Sequence, residues 1–324
     1  MDERGLLDLI IARLPGISFR EKIALCESLR GEQDFIQKSR PDIEAIIGRS
    51  LAEWWDIDAI RLQAEQDAKM ARLRGINWVS WQSPAYPPLL REIYDPPVLL
   101  FFRGCLPNPE MPLAAIVGTR RPSPQAAAQA FDIAKGLARN GISVVSGLAL
   151  GIDAMAHRGN LEGGVPAVAV LGSGVDAVYP ASNRGLARRI LETGGIILSE
   201  YPPGTGPRKW NFPARNRIIS GLSRGVLIVE APQKSGALIT GRFALDQNRE
   251  LWVASSGCTA HAASALFDRR GTMQLAEDGA GIIYSASDIL GAWNMNVTSA
   301  HDIVLNNKAD RASALAHSLG ITLE

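Results

Sequence analysis

Short apolar runs alternate with helical patterns from Leu113 to Ile283, and this alternation constrains the fold more than any other feature of the sequence. The runs are apolar throughout, which is typical of strands that are buried on both faces of a parallel sheet. The stretches between them are amphipathic, which is typical of helices packed against such a sheet. Right-handed crossovers would place the strand-to-helix loops along one edge of that sheet, where ligands bind. The sequence therefore predicts a doubly wound α/β domain over residues 113–292, with strands at Leu113–Val117, Ile142–Val145, Ala167–Leu171, Ile196–Leu198, Val226–Val229, Leu251–Val253 and Ile282–Ile283.

The rest of the chain divides into three further segments. Residues 1–75 repeat leucine and isoleucine at helical spacing around Pro15-Gly16, which predicts a small all-helical domain. The turn at Gly16 is either that of a helix-hairpin-helix, where backbone N–H groups approach a phosphate, or an ordinary αα turn. Residues 76–112 hold five prolines between Pro84 and Pro97 and predict an extended connector. Residues 293–324 predict a tail with one weak helix near 309–319, too short for a complete winged helix.

Composition favours a reducing compartment. The three cysteines, at positions 26, 105 and 258, are far apart, a pattern that fits neither a disulfide framework nor a cysteine zinc site. Asp8 and Arg13 interrupt the N-terminal apolar run, which therefore fits neither a signal peptide nor a membrane span. We expect a cytoplasmic protein that binds no metal and does not enter a membrane.

The net charge of +1 conceals an uneven distribution. Residues 113–229 contain 13 Lys and Arg against 6 Asp and Glu, whereas the rest of the chain contains 21 against 27. No acidic residue occurs between Tyr201 and Val229, a stretch with five basic residues. This asymmetry predicts a polyanionic partner, although any single charge could equally be a solvated loop residue.

The first loop of the α/β domain runs from Gly118 to Ser123, which could cap the following helix. Gly118 and Thr119 would present backbone N–H groups to an anion at the helix N-terminus. Arg120 and Arg121 stand where a dinucleotide-binding loop would have further glycines, and arginine binds phosphate oxygens bidentately. We predict phosphate contacts here; ion pairing with a neighbouring loop is the alternative.

The second loop contains Ser146 and Gly147, and Asp153 and His157 follow on one face of the next helix. A serine, an aspartate and a histidine suggest a hydrolase, but the pattern G-x-S-x-G is absent and two side chains make a poor metal site. We expect no catalytic residue here. Ser146 and Gly147 are predicted to bind an anion, and Asp153 and His157 to be structural, with Asp153 tying the turn to the helix.

The third loop, Gly172-Ser173-Gly174 with an alanine three residues on, matches the dinucleotide fingerprint in its letters. The match is weak because Pro180 stops the helix that the motif requires, and the residue about 20 positions on, Glu192, falls in a helix. Backbone-lined anion binding by Gly172, Ser173 and Gly174 suits these residues better. We expect no cofactor; a Rossmann-type nucleotide-binding enzyme, NAD-dependent or similar to nucleotide phosphoribohydrolases, is the alternative.

The fourth loop interleaves basic and aromatic residues. Single-stranded nucleic acid requires both, because cations follow its backbone and rings stack on its bases for about 1–3 kcal/mol each. We predict nucleic-acid contacts for four residues of this loop: Lys209, Phe212, Arg215 and Arg217. Trp210 and Phe212 could instead belong to the core, with the arginines solvated.

Two further predictions concern the helices next to this loop. Asn216, between the two arginines, is expected to be structural. The fifth loop places Ser235 and Gly236 at the start of a helix, which is another helix-terminus anion site.

Taken in order, these loops resemble those of the DNA processing protein A family (DprA, also called Smf). The resemblance covers about residues 84–291, and its motifs include Tyr86-Pro87, Val117-Gly118-Thr119-Arg120, Ser146-Gly147-Leu148-Ala149, Gly151-Ile152-Asp153, Tyr179-Pro180, Phe212-Pro213-x-Arg215-Asn216-Arg217, Ser235-Gly236 and Arg270-Gly271. The helical region 1–75 resembles, more loosely, the family's N-terminal sterile-alpha-motif-like domain.

The resemblance implies an extended Rossmann-like fold that binds and protects incoming single-stranded DNA, forms homodimers and loads the RecA recombinase in natural transformation of competent cells. It also implies no established enzymatic activity, and we expect that the protein is not an enzyme. Arg120, Lys209 and Phe212 would contact DNA, with Arg215 and Arg217 adjacent. The sequence departs from the family's usual residues at Gln125-Ala126 and Ser255-Ser256-Gly257, and many members also end in a winged helix.

Overall fold

Five helices lie between residues 3 and 73 of the computed structural model, which describes residues 3–258 and 267–295. They are α1 (Glu3–Arg13), α2 (Phe19–Ser28), α3 (Glu32–Ile36), α4 (Arg40–Ile47) and α5 (Ile57–Leu73). Ser18 and Ser39 begin α2 and α4 with capping boxes, in which the serine side chain and the third helical residue satisfy each other's backbone N–H groups. The predicted helical domain is therefore built from locally well-specified helices.

A nine-stranded sheet forms the centre of the molecule. Its strands are β1 (Asn77–Ser80), β2 (Leu99–Gly104), β3 (Leu113–Val117), β4 (Ser143–Ser146), β5 (Val168–Val170), β6 (Ile196–Ser199), β7 (Gly225–Ile228), β8 (Glu250–Ala254) and β9 (Gly281–Ile283). They lie in the order β1-β2-β6-β5-β4-β3-β7-β8-β9. The seven strands β6-β5-β4-β3-β7-β8-β9 pair in parallel, and the pairs β1–β2 and β2–β6 are antiparallel. The predicted mostly parallel α/β sheet is confirmed.

Helices cover both faces of the sheet. They are α6 (Pro88–Arg91), α7 (Pro124–Arg139), α8 (Ile152–Gly163), α9 (Arg184–Glu192), α10 (Asn211–Gly221), α11 (Gly236–Asp246), α12 (Ser255–Cys258), α13 (Arg270–Glu277) and α14 (Ala286–Ala292). Alternate residues of β3 show the two layers: Ala114 and Ile116 pack in the core that contains α7 and α8, and Ala115 and Val117 in the core that contains α10 and α11. Burial on both faces explains why the strands are apolar throughout.

The segment 76–112 differs from the expected extended connector, because it supplies β1, α6 and β2 and extends the sheet by two antiparallel strands. Its prolines lie between the strands, where no ladder hydrogen bond is lost. Tyr86 is buried here and its hydroxyl donates to the Pro97 carbonyl at 2.8 Å. The segment is thus part of the α/β core.

The C-terminal region can be compared with its prediction only in part. Trp293 is buried and its ring lies 5.8 Å from that of Trp252, so the α/β core extends just past residue 292. The helix predicted near 309–319 lies outside the described residues. Within residues 3–258 and 267–295, no helix is both long and apolar enough to cross a membrane.

The strand order reverses at β3, since β4 lies on one side of it and β7 on the other. At such a switch point the loops after neighbouring strands diverge and leave a crevice outside their carboxyl ends, where ligands bind in open α/β sheets. The loops after β3, β4 and β7 flank this crevice, and they include three of the loops that the sequence singled out.

Candidate functional site

A cavity of about 610 Å³ opens at this switch point. Its wall combines the loop after β3 with the first turns of α10 and α11. The lining includes Gly118, Thr119, Arg120, Ala149, Asp153, Tyr179, Lys209, Phe212, Arg215, Asn216, Lys234, Ser235 and Gly236. Four of these residues are basic and one is acidic, so the cavity favours an anionic ligand.

Arg120 projects into the cavity from the loop after β3. It is exposed, and its guanidinium carbon lies 5.8 Å from the ring centroid of Phe212. Arg121 is also exposed but does not line the cavity. Within the described ranges, neither arginine forms an ion pair, and neither does Lys209. Arg120 and Lys209 therefore offer unneutralised positive charge to a ligand.

Glu230, which the sequence did not single out as a site residue, holds the loop of Arg120 in place. Its buried carboxylate accepts hydrogen bonds from the Ser123 N–H and hydroxyl, at 2.9 and 2.6 Å, and from Arg269 Nε at 3.1 Å. Its backbone carbonyl accepts from the Thr119 N–H at 2.7 Å. A carboxylate two residues after the apolar strand β7 was the available signal, because this position lies at the same edge of the sheet as the loop of Arg120.

Phe212 and Tyr179 form the aromatic part of the cavity. Their ring centroids are 5.7 Å apart with an angle of 45° between the planes, and Tyr179 remains 47% exposed. Tyr179 was not among the predicted site residues, although an aromatic residue just after a glycine-rich loop was a usable signal. Aromatic faces beside unpaired cations are the combination that single-stranded nucleic acid requires.

Arg215 was predicted to contact phosphate, but its buried guanidinium instead donates hydrogen bonds to the protein's own backbone. It donates from Nη1 to the Gly147 carbonyl at 2.9 Å and to the Val170 carbonyl. A Cβ on Gly147 would lie 2.5 Å from this guanidinium, so the glycine makes room for it and is not an anion-binding loop residue. Burial lowers the pKa of Arg215 to about 10, although Asp153 partly opposes the shift. Arg215 thus joins the loop after β4 to the end of β5 at the cavity.

Asp153 lines the cavity, whereas His157, on the next turn of the same helix, is buried away from it. Asp153 accepts a hydrogen bond from the Ala149 N–H at 3.3 Å, and burial raises the pKa of its carboxyl, an effect that Arg215 partly offsets. Burial, together with the charge of Arg215, lowers the pKa of His157 to about 3. No hydrogen bond joins the two side chains. They do not form an acid–base pair.

Arg217 is a second correction, because carboxylates neutralise it. Its Nη1 and Nη2 donate to the two carboxylate oxygens of Glu200, each at 2.7 Å, and Asp95 lies 3.4 Å from its Nε. The side chain is 13% exposed, and the pair with Glu200 raises its pKa despite burial. A planar fork bound to a carboxylate is not available to phosphate.

Four more predicted anion-loop residues also lie away from the cavity lining. Ser146 donates its hydroxyl to the Ile116 carbonyl, and Ser173 donates to the Ala177 carbonyl, each at 2.7 Å. Gly174 donates its N–H to the Thr205 carbonyl at 2.8 Å, and a Cβ on Gly172 would meet the Phe212 ring at 3.0 Å. These groups hold the protein's own loops, so the third loop does not form a dinucleotide cradle.

The anion-loop residues that do line the cavity belong to the first and fifth loops. Ser235 caps α11 by accepting from the Ala237 N–H at 3.2 Å, and Asn216 donates to the Gly236 carbonyl at 3.0 Å, which joins α10 to α11. Lys234, missed by the sequence analysis, adds an exposed cation beside this helix N-terminus. Across the described part of the chain, no group of three or more His, Cys, Asp and Glu side chains could hold a metal ion.

Comparison with protein families identifies relatives of the region that forms the sheet and its helices. The model of the family described as DNA recombination-mediator protein A matches residues 77–294. Protein Smf of Synechocystis is 43% identical over 213 residues, which are 64% of this chain and 52% of that protein. The DNA processing protein DprA of Bacillus subtilis is 40% identical over 226 residues, 67% of this chain and 71% of that protein. The chain therefore spans about half the length of the first relative.

Two solved structures are also similar. DNA processing protein A from Streptococcus pneumoniae superposes with a TM-score of 0.71 and 33% identity, covering 90% of this chain and 98% of that one. DNA processing protein A from Helicobacter pylori, whose structure concerns its single-stranded DNA binding mode, gives a TM-score of 0.57 and 29% identity, covering 67% and 95%. The resemblance found in the sequence is confirmed.

Proposed function

The chain belongs to the DNA recombination-mediator protein A family, and from this premise we propose that its cavity binds single-stranded DNA. One observation carries the proposal: Arg120 and Lys209 line a cavity beside Phe212 and Tyr179 and have no ion-pair partner in the described structure. The cations meet the phosphates and the rings meet the bases. A duplex keeps its bases stacked inside, so the aromatic part of the cavity favours an unpaired strand.

The wider proposal follows the family. We infer that the protein protects incoming DNA in transformation, acts as a homodimer in the cytoplasm, loads the RecA recombinase and has no enzymatic activity. The similarity to proteins named for DNA processing supports the first part. The burial of His157 and its lack of a bond to Asp153 argue against a Ser-His-Asp hydrolase built on these residues, because that mechanism needs the histidine bonded to its orienting carboxylate.

Replacing Arg120 with alanine is expected to weaken binding to single-stranded oligonucleotides of every sequence. It should also reduce the slope of log affinity against log salt concentration by about one unit, because one fewer phosphate is neutralised. A fluorescence-anisotropy titration at several salt concentrations measures both quantities, and an equal-length duplex tests the preference for an unpaired strand. Arg139→Ala is the matched control, since Arg139 is exposed at the far end of α7, about 24 Å along that helix. An unchanged slope in the Arg120 variant would remove this residue from the site.

Replacing Phe212 with alanine should have a different signature. Affinity is expected to fall by about 1–3 kcal/mol, the value of one base–aromatic contact, while the salt slope stays the same because no charge is lost. The same titration distinguishes the two variants. If the slope dropped instead, Phe212 would be positioning Arg120, whose guanidinium lies against its ring, and not stacking on a base.

A further inference from the structure

Trp210 lies at the edge of the cavity with its ring open to solvent. It is 68% exposed and stands between the lining residues Lys209 and Phe212 in the sequence. The guanidinium carbon of Arg208 lies 5.7 Å from its ring centroid. The alternative in which Trp210 belongs to the core is therefore wrong. An exposed large aromatic ring beside a ligand cavity indicates a contact surface, since tryptophan otherwise contributes to stability by burial.

Trp210 also occupies the N-cap of α10 without capping it. Its side chain makes no cap hydrogen bond, and its carbonyl accepts from the Ala214 N–H at a long 3.4 Å. Serine, threonine, aspartate or asparagine would serve this position, because their side-chain oxygens accept a free N–H of the first turn. Trp210 is therefore neither buried in the core nor a helix cap, and it does not contribute to stability in either way. Residues that depart from local structural preferences in this manner are expected at functional sites.

We propose that Trp210 is a second base-stacking position for the DNA strand, outside the cavity and next to Arg208. The inference rests on the proposed function and extends it. Lys209 directly precedes Trp210 and lines the cavity together with Phe212, so a cation lies close to both aromatic positions. A DNA strand carries a phosphate beside every base and can use both kinds of group. No acidic residue between 201 and 229 opposes its path, and Glu200 is already paired with Arg217.

The test uses Trp210→Ser in the full chain and a series of oligothymidylates of increasing length. Trp210 is exposed and makes no cap hydrogen bond, so the thermal unfolding midpoint is expected to stay the same, as it does for most exposed substitutions. Affinity for the long oligonucleotides should fall about tenfold, within the range of one base–aromatic contact, with an unchanged salt slope. The shortest oligonucleotides, which fill only the cavity, should bind as they do to the unsubstituted protein. A strand with abasic sites should show no difference, because it offers no base to the ring.

Tyr94→Ser is the matched control. Tyr94 is 84% exposed and also lies against an arginine, Arg20, at 5.6 Å, but it is outside the cavity. The control should bind every oligonucleotide normally. If Trp210→Ser also bound every length normally while Arg120→Ala was weak, the second stacking position would be wrong and the proposed function would stand. An equal loss with abasic or very short strands would also overturn it. If the unsubstituted protein bound no strand at all, both the second stacking position and the proposed DNA-binding function would be wrong.

Discussion

Replacing Arg215 with methionine is expected to lower the free energy of unfolding by about 3–5 kcal/mol, because each buried acceptor left without its donor costs about 1–3 kcal/mol and a nearby buried carboxylate loses a positive charge. The side chain is buried, and methionine can fill much of its volume but cannot donate hydrogen bonds. The carbonyls of Gly147 and Val170 would lose their donor, and the buried Asp153 would lose the charge that lowers its pKa. Urea unfolding followed by circular dichroism measures the change.

Arg208→Met is the control for this result. Arg208 lies on the same acid-free stretch but is exposed, and substitutions at such positions usually stay within about 0.5 kcal/mol. The comparison also separates the two roles considered for Arg215. A phosphate contact would give a stable variant with a lower salt slope of DNA binding, whereas the structural role gives an unstable one.

The difference between the expected and observed roles of the fourth-loop arginines has a physical cause. The sequence shows that Arg215 and Arg217 are two residues apart in a basic stretch, but not which groups surround them. Glu200 lies 17 positions earlier, directly after β6, and reaches Arg217 only because the folded connection between β6 and α10 brings the two residues together. Composition therefore predicted an acid-free segment correctly but could not predict that Glu200, at the start of the same β6–α10 connection, neutralises part of it.

The parallel part of the fold was predictable because its signal is local. Each buried strand is a run of apolar residues, and the strand-to-helix loops then fall at one edge of the sheet by topology alone. This is why Arg120 and Lys209, from loops 89 residues apart, were correctly expected at the same edge. Strand β2 carries the same apolar signal at residues 99–102, but the prolines before it indicated a connector, and the edge strand β1 has only a weak signal.

The aromatic residues show a second limit of the sequence. Periodicity indicates which residues of a helix face the core, but Trp210 precedes α10 and Tyr179 lies in a loop, so no periodic pattern applies to either. Their exposure, 68% and 47%, became known only from the packing of the loops. Burial of loop residues depends on tertiary contacts, which is why the stacking surfaces had to be read from the structure.

His157 is expected to make the protein less stable as the pH falls from about 6.5. Burial and Arg215 hold its folded-state pKa near 3, below the ordinary value of about 6.5 that the unfolded chain has. Between these values the unfolded state binds a proton that the folded state excludes, so this residue costs up to about 1.4 kcal/mol of stability per pH unit of acidification. Asp153, whose pKa is raised, acts in the opposite direction, because its folded form takes up a proton first.

The measurement is the free energy of unfolding of the unsubstituted protein and of His157→Gln between pH 6.5 and 5, a range above the ordinary pKa values of exposed carboxylates. The difference between the two proteins isolates His157, because contributions shared by both cancel. The slope against pH should be smaller in the variant, even if glutamine lowers the stability at every pH. Imidazole nitrogen shifts of His157 in the unsubstituted protein should remain those of the neutral ring at pH 5. A histidine that titrates near 6.5 would instead be in contact with solvent, and the separation of His157 from the cavity would then be wrong.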